Sequence, residues 1–370
     1  MTTSRIADPQ TPVEAARLDV FRLAMAPLFF QAARTARDCG LLEALYRHAA
    51  PGAETQALTE ATGLSRYAVE LLLEALTVSG LCQAVAQPPG AAERHAITKA
   101  GVFWLKDELS RVHADFVHHV CYQGAFKLDE ALREGRPAGL PALVEGHPTV
   151  YEALGALPPE VRRAWDAFDH LASDSVFGEC LCLLELRGGH LVDIGCNTGR
   201  FAQALLDFDP AATMTLVDLP RQLAQARAAV AAHAARVSGV SIDLLDPTAA
   251  LPPGADVYWM SQVLDCFGED EVRSILTRVA AAMKPQGRAF ILETYVDQQR
   301  SAGARAAIVG TSLYFTAIAN GNSRMYTSTV MRRLVAEAGL AVEWERHDIG
   351  LAHSLMCCRR ADPSAQPVSP

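Results

Sequence analysis

The sequence predicts an α/β protein in which a doubly wound, mostly parallel sheet in the C-terminal half follows a mainly helical N-terminal part. Two observations support this prediction. From about His190 onwards, apolar strand segments alternate with helical segments, as in HLVDIGCNTGRFAQALLDF followed by ATMTLVDLPRQLAQARAAV. Before His190, apolar residues recur at helical spacing, and Pro and Gly residues separate the segments.

The composition limits the possible function classes. The chain has 370 residues, 50% of them hydrophobic, and a formal net charge of −9. Such a charge gives no electrostatic footprint for nucleic acid or an anionic membrane, so we expect neither partner and favour a small-molecule substrate. Nine cysteines without paired zinc-ligand spacing, and an N-terminus without an apolar signal core, predict a cytoplasmic location.

Residues 1–109 are predicted to form a helical domain on the winged-helix plan. Apolar side chains lie almost all round the helical segment from about Val13 to Cys39, so a second subunit or the rest of this chain must cover it. Two short helices joined at TGLS and followed by a hairpin are typical of a winged helix. The second of these helices, SRYAVELLLEALTVSG, is mainly apolar, which favours dimerisation over DNA binding.

Residues 110–182 are predicted to form a helical bridge that roofs the active site. A ligand-binding sheet domain over residues 183–361 and a flexible tail over residues 362–370 follow it. His119 and Tyr122 lie on the bridge and are candidates for contact with a substrate.

The first strand of the sheet domain runs into a glycine-rich turn, GCNTG. Gly195 and Gly199 let the backbone turn sharply and approach a ligand, while Asp193 places a carboxylate at the strand end. The spacing matches neither a dinucleotide fingerprint nor a P-loop. A carboxylate beside this turn would repel a pyrophosphate and attract an ammonium or sulfonium group.

Two further aspartates follow the next two strands. Asp218 ends the second strand, where this type of sheet binds ribose hydroxyls, and Asp243 ends the third, within reach of an adenine amino group. Three carboxylates in register, each after an apolar strand, predict a nucleoside site.

Together these residues resemble the class I S-adenosylmethionine (SAM)-dependent methyltransferases of the small-molecule O-methyltransferase type, which have an N-terminal winged-helix dimerisation domain. LVDIGCNTGRFA resembles the glycine-rich SAM motif, LVDLP the ribose motif, and MSQVLDCFGEDEVRSIL the catalytic segment. The resemblance implies a Rossmann-like seven-stranded sheet, a homodimer, and methylation of a small metabolite in specialised biosynthesis. It also implies that SAM is held by Asp193, Gly195, Gly199, Asp218, Leu219, Asp243, Leu244, Met260 and Ser261.

The catalytic segment departs from the family pattern. Where the family usually has Leu-His-Asp-Trp, with His as general base, this chain has an aspartate, Asp265, in the His position. Asp265 and Glu293 are the predicted catalytic residues, while Ser323 occupies the place of the second carboxylate that flanks the family's His. Three roles stay open for Asp265. It acts as a base with a raised pKa, it binds a substrate amine or a metal, or it has only a structural role.

Other polar residues are candidates for secondary roles. Asn320 and Arg324, in ANGNSRMY, are polar groups in an expected active-site loop, and they are candidate ligands for a substrate carboxylate or carbonyl. His347 and His353 flank a turn at the sheet edge, so a metal pair completed by Asp265, His118 or His119 is a minor alternative to a metal-free site.

Three alternatives to O-methylation stay open. The chain could methylate carbon or nitrogen, including metal-assisted methylation of a 2-oxo acid, as some relatives do. It could bind SAM and perform a different reaction, such as a rearrangement. A non-enzymatic alternative is a SAM-sensing regulator whose winged helix binds DNA.

Overall fold

The computed structural model describes residues 11–48, 51–88 and 90–362, and the chain divides into two compact units, residues 1–114 and 115–370. The predicted bridge therefore falls almost entirely inside the second unit instead of forming a separate piece. Residues 363–370, which make up most of the predicted tail, lie outside the described residues.

Over residues 11–48, 51–88 and 90–114, the first unit has five helices and a small sheet, and a sixth helix crosses its boundary. The helices are α1 (Pro12–Asp38), α2 (Leu41–Arg47), α3 (Thr55–Thr62), α4 (Arg66–Val78), α5 (Lys99–Lys106) and α6 (Glu108–Phe116). The strands β1 (Ala53–Glu54), β2 (Cys82–Val85) and β3 (Arg94–Ile97) form an antiparallel sheet in the order β1-β3-β2. The α3–α4 pair followed by the β2–β3 hairpin is the predicted winged-helix arrangement.

Helix α1 is long, and most of it is exposed within its unit. It starts at a capping box in which Thr11 and Glu14 satisfy each other's backbone N–H groups. Its only buried residues are Ala33 and Ala36, near its C-terminal end. Leu23 is 78% exposed, and further large apolar side chains along the helix are exposed as well. The predicted need for a cover over this helix therefore holds for its N-terminal two-thirds.

The helices of the second unit flank its sheet. They are α7 (Leu128–Glu134), α8 (Val150–Ala153), α9 (Pro159–Ser173), α10 (Phe177–Leu184), α11 (Arg200–Phe208), α12 (Pro220–Ala229), α13 (Glu269–Ala282), α14 (Ala302–Tyr314) and α15 (Ser328–Glu337). Two π-helical turns cover Val117–Cys121 and Phe315–Ala319. The stretch Ala302–Ala319 is long and apolar enough to span a membrane by length and composition alone, a test that core helices also pass, and its last turn is buried in the core.

The sheet of the second unit has seven strands, as predicted. They are β4 (His190–Ile194), β5 (Thr213–Asp218), β6 (Val237–Ser241), β7 (Val257–Ser261), β8 (Arg288–Glu293), β9 (Leu340–Ile349) and β10 (His353–Arg360). The order is β6-β5-β4-β7-β8-β10-β9; β4 to β8 are parallel, and β10 is antiparallel to both of its neighbours.

Apolar side chains bury both faces of this sheet. Val192 and Ile194 belong to the core cluster that α13 and α15 cover, whereas Leu191 belongs to the cluster that includes residues of α10, α11 and α12. With both faces buried, ligands can approach only at the strand ends. The carboxyl ends of β4 to β7 meet at one edge, where the order of the strands reverses.

Candidate functional site

A cavity of about 250 Å³ lies at this edge of the sheet, and all of its lining residues belong to the second unit. Eight residues predicted from the sequence line it. They are Asp193, Gly195, Asp218, Leu219, Asp243, Leu244, Ser261 and Asn320. The structure therefore brings together residues from four strand ends and one distant loop.

The glycine-rich turn forms one wall of the cavity. Gly195 adopts φ 76°, and its N–H donates a 2.9 Å hydrogen bond to the carbonyl of Val217. A Cβ at this position would lie 2.5 Å from a methyl group of Val263, so only glycine fits. Gly199 has a different role: it caps α11 at φ 81°, packs against Ala226, and does not line the cavity. The structure therefore gives Gly199 a role in helix packing, and its assignment to SAM binding stays a prediction.

Asp218 is fixed by backbone donors before any ligand arrives. One carboxylate oxygen accepts from the N–H of Asn197 at 2.8 Å and the other from the N–H of Leu219 at 2.7 Å. Burial raises the pKa of Asp218 to about 6, although these two hydrogen bonds favour its ionised form. The carboxylate is therefore held rigidly at the position where the ribose hydroxyls are expected.

Asp193 is a buried acid without a partner. Its side chain is 2% exposed, and its Oδ2 atom has no hydrogen-bond donor. Burial, and then the charge of Asp218, raise the pKa of Asp193 to about 8. A cationic ligand in the cavity would supply the charge that this carboxylate lacks, so the site fits the sulfonium and ammonium groups of SAM.

The other predicted cofactor residues differ in position. Asp243 lies two residues beyond the end of β6; its Oδ1 accepts from the N–H of Leu245 at 2.9 Å, and the residue lines the cavity. Met260 does not line it, because alternation along β7 places its side chain in the core on the opposite face. Trp259 takes the cavity side instead and stacks on Phe201 with ring centroids 4.2 Å apart.

SAM binding is expected to release protons. If the bound cation lowers the raised pKa values of Asp193 and Asp218, affinity should strengthen as pH rises from 6 to 8, by up to about tenfold per unit where one proton is released. Calorimetry at pH 7 in two buffers of different ionisation enthalpy measures the number of protons released. Asp193→Asn should abolish most of this release. A wild-type binding enthalpy that does not depend on the buffer would contradict the prediction.

The two predicted catalytic carboxyls lie behind the cavity wall. Asp265 and Glu293 are 5% and 2% exposed, and neither lines the cavity, whereas the next residues, Cys266 and Phe267, do. Glu293 Oε1 accepts from the N–H of Leu264 at 3.0 Å, and the Asp265 carboxyl lies within hydrogen-bonding reach of Glu293. Burial raises the pKa of both carboxyl groups. Because two adjacent buried carboxylates repel each other, the ionised form of one disfavours ionisation of the other.

The predicted substrate residues are only partly brought together. Asn320 lines the cavity, and its amide donates to the carbonyl of Cys266 and, at 2.7 Å, to the hydroxyl of Ser323. Arg324 is exposed and does not line the cavity. His119 and Tyr122 do not line the cavity either. The π-helical turn of that segment buries Val120 in the core. The three assignments are not supported by these positions.

The two histidines proposed as a minor metal pair, His347 and His353, lie in different surroundings. Both ring nitrogens of His353 are buried without a partner, and burial lowers the pKa of His353 to about 4. His347 Nδ1 lies 2.9 Å from the Ser354 hydroxyl. Among residues 11–48, 51–88 and 90–362, no three His, Cys, Asp or Glu side chains are grouped so as to hold a metal ion.

Sequence reasoning missed several lining residues on α8 and α9, among them Tyr151, Asp169 and His170. Trp165 lies on the bridge that was predicted to roof the site, and it lines the cavity one turn before Asp169 on α9. The Trp165 indole N–H donates to the Tyr314 hydroxyl at 2.8 Å. The spacing of four residues between Trp165 and Asp169 predicts that both side chains lie on one face of a helix. It does not predict which ligand that face contacts.

The sheet order and the carboxylates at its edge define a class I SAM-dependent methyltransferase fold. A family model described as an O-methyltransferase domain matches residues 125–341, more than half of the chain, and one described as a Dimerisation2-like domain matches residues 19–84. The chain therefore belongs to the O-methyltransferase family, and the resemblance found in the sequence is confirmed.

Individual relatives agree with this assignment. The mitomycin biosynthesis 6-O-methyltransferase of Streptomyces lavendulae is 26% identical over 78% of this chain and 79% of its own length. The phenazine-1-carboxylate N-methyltransferase of Pseudomonas aeruginosa is 31% identical over 44% of this chain and 47% of its own. The solved structure of a mitomycin 7-O-methyltransferase superposes with a TM-score of 0.68 at 23% identity, covering 94% of this chain and 98% of that one.

Proposed function

We propose that this enzyme transfers the methyl group of SAM to an oxygen atom of a small natural-product metabolite. The observation that carries the proposal is one cavity that is lined both by carboxylates beside a glycine-rich turn and by aromatic side chains. SAM supplies a methyl group already activated as a sulfonium. The protein's task is to place the acceptor in line with that methyl group and to exclude water.

The residues at the strand ends suit the nucleoside half of SAM. Asp218 is oriented to accept hydrogen bonds from the ribose hydroxyls, and Asp243 lies where it can accept from the adenine amino group. Leu219 and Leu244 line the cavity next to these carboxylates and provide apolar contact for the adenine ring. The unpaired carboxylate of Asp193 attracts the positive charge of the cofactor.

The acceptor half is bounded by Tyr151, Trp165, Cys266, Phe267 and Asn320. These side chains present flat and apolar surfaces with an amide at one side, which suits an aromatic hydroxyl compound. Glu293 fixes the turn that carries Cys266 and Phe267 through the N–H of Leu264, and the Asp265 carboxyl lies within reach of Glu293. Neither carboxyl lines the cavity, so both act as positioning residues. An acceptor hydroxyl that ionises readily needs little help from a general base.

A second candidate is methylation of nitrogen. The observation that favours it is Asp265, since no imidazole stands where this family usually has its general base. A neutral amine already carries a nucleophilic lone pair and loses its proton only after methyl transfer. The similarity to a phenazine-1-carboxylate N-methyltransferase agrees with this alternative.

The proposal is tested by incubating the purified protein with SAM and a panel of aromatic phenols and matched aromatic amines. Mass spectrometry then follows S-adenosylhomocysteine and the methylated product together. Formation of S-adenosylhomocysteine and a methylated product from a phenol supports O-methylation. Formation of the two products from amines alone supports the second candidate. SAM binding without S-adenosylhomocysteine across the panel would favour a different reaction, and the absence of SAM binding would overturn the proposal.

We further propose that the enzyme is a homodimer in the cytoplasm, with a second copy covering α1. The match to a dimerisation domain over residues 19–84 and the exposed apolar side chains of α1 support the dimer. The nine cysteines, all of them free thiols, support a reducing compartment.

Placing a charge on α1 is expected to dissociate this dimer. Leu23 is 78% exposed in the chain, so Leu23→Glu should leave the fold intact but bury an unpaired carboxylate in the interface. Light scattering should show the wild type at twice the mass of one chain and the variant at the mass of one. Leu351→Glu, at a 64% exposed position in the β9–β10 turn, is the matched control and should stay dimeric. A monomeric wild type would contradict the prediction.

A further inference from the structure

The charged side chains of the cavity are unevenly distributed. Two of the described lining residues, His170 and Arg200, are basic, and seven are acidic. Both basic residues lie beside the glycine-rich turn, since His170 Nε2 is 3.5 Å from the Thr198 hydroxyl and Arg200 is the first residue of α11. Both also have an acidic neighbour: Arg200 is paired with Asp174, and His170 Nδ1 lies 3.7 Å from Asp174 Oδ1.

The acceptor half of the cavity has no such basic group. The five residues that bound it are all uncharged. Arg324 is exposed and does not line the cavity. The Arg162 guanidinium lies 5.7 Å from the centre of the Trp165 ring, but both Asp166 oxygens bind it, at 2.7 and 2.8 Å, and Arg162 does not line the cavity either. A carboxylate on the acceptor would therefore meet no counter-ion on the described wall.

Carboxyl groups lie near this half instead. Glu271 lines the cavity, and its Oε2 accepts from the N–H of Gly268, the residue after Phe267, at 2.7 Å. Its Oε1 accepts from the side-chain amide of Asn322 at 3.1 Å. Both donors are neutral, so no described cation offsets the charge of Glu271. Asp265 is buried behind the same wall. A second carboxylate placed here would lose its hydration and be repelled.

Two polar atoms of the lining favour an uncharged ligand. Tyr151 Oη and Gln262 Oε1 are buried, and neither has a hydrogen-bond partner among the described residues. Both residues line the cavity. Because a buried polar atom without a partner is unfavourable, a ligand with neutral donors and acceptors would stabilise this wall by pairing with them.

We propose that the methyl acceptor is an uncharged aromatic compound and that the acceptor half excludes aromatic carboxylates. The inference rests on the proposed function, because it names the class of acceptor that the same cavity takes. The aromatic rings of Tyr151, Trp165 and Phe267 pack against the ring system of such a compound. Neutral hydroxyl and amide groups on the wall suit hydroxyl and carbonyl substituents, whereas they do not replace the cation that a buried carboxylate needs.

Two ligands that differ in one charge test the inference. 6-Hydroxy-2-naphthamide and 6-hydroxy-2-naphthoate have nearly the same shape, but only the naphthoate is an anion at neutral pH. Calorimetry on the protein loaded with S-adenosylhomocysteine measures the affinity of each ligand without any contribution from the rate of methyl transfer. The naphthamide should bind at least about tenfold more tightly than the naphthoate.

A substitution that supplies the missing cation should reduce this difference. Asn322 is exposed and lines the cavity beside Glu271. Asn322→Lys should strengthen naphthoate binding relative to naphthamide binding by about two- to fivefold, the range expected for an exposed ion pair. Thr277→Lys is the matched control, since Thr277 is exposed on α13 and does not line the cavity. It adds the same charge to the protein and should leave the ratio of the two affinities unchanged.

Equal affinities of the wild type for the two ligands, or tighter binding of the naphthoate, would overturn the inference. A difference that Asn322→Lys leaves unchanged, or that Thr277→Lys reduces equally, would also overturn it, because the cause would not be the charge of this wall. Binding of neither naphthalene ligand would do the same. In all these cases binding of S-adenosylhomocysteine leaves the proposed function standing. If S-adenosylhomocysteine does not bind, the proposed function itself fails.

Discussion

Asp218→Ala is expected to weaken SAM binding by about 10- to 100-fold, the range set by the loss of hydrogen bonds to a charged group. The substitution has two effects at the same place. It removes the carboxylate expected to bind the ribose hydroxyls, and it leaves the N–H groups of Asn197 and Leu219 without their acceptor. The second effect loosens the glycine-rich turn, so the loss should exceed that of a ribose contact alone.

Calorimetric titration of SAM measures this loss directly. Asp218→Asn should be intermediate, because one amide oxygen can still accept a backbone hydrogen bond but the charge is gone. Asp246→Ala is the control, since Asp246 is exposed at the same edge of the sheet and only caps a turn through Thr248. An unchanged affinity in Asp218→Ala would show that the nucleoside lies elsewhere.

Asp265→Ala is expected to lower kcat by at least about tenfold with the affinity for SAM unchanged. The substitution leaves the buried Glu293 carboxyl without its neighbour, and Glu293 holds the turn that carries Cys266 and Phe267 through the N–H of Leu264. The acceptor would then lie less accurately in line with the methyl group, and small misplacements have large effects on rate.

The conservative variant separates a positioning role from a catalytic one. Asp265→Asn can still donate a hydrogen bond to Glu293, so it should recover most of kcat if the carboxyl only positions the turn. If Asp265→Asn is as slow as Asp265→Ala, and SAM still binds normally to both, the carboxylate itself takes a proton from the acceptor and is catalytic. The pH dependence of kcat gives a second readout, since a positioning role adds no ionisation to it.

The parts of the site that the sequence predicted well are local. Asp193, Gly195 and Asp218 each lie at or next to the end of an apolar strand, and in a parallel sheet these ends share one edge whatever the helices do. Met260 was misplaced because strands buried on both faces are apolar throughout, so the pattern does not tell which side chain faces the ligand. For Gly199 the sequence does not tell a packing role from a ligand contact, because close packing and ligand approach both require glycine.

The α9 wall depends on contacts between distant parts of the chain. Asp169 contacts Asn197, and His170 contacts Thr198. No local sequence pattern predicts these contacts. The position of the Asp265 carboxyl behind the cavity wall likewise depends on Glu293, which belongs to the next strand of the sheet. Side-chain direction at such positions follows from tertiary packing, which periodicity does not encode.

Helix α9 also has a consequence for the order of kinetic events. Asp169 contacts the glycine-rich turn, and Trp165, one turn earlier on the same helix, lines the cavity with its aromatic side chain. SAM bound against the turn therefore also lies on the helix that carries Trp165, and we expect the acceptor to bind against both. Steady-state rates should accordingly follow an ordered sequential mechanism with SAM as the leading substrate.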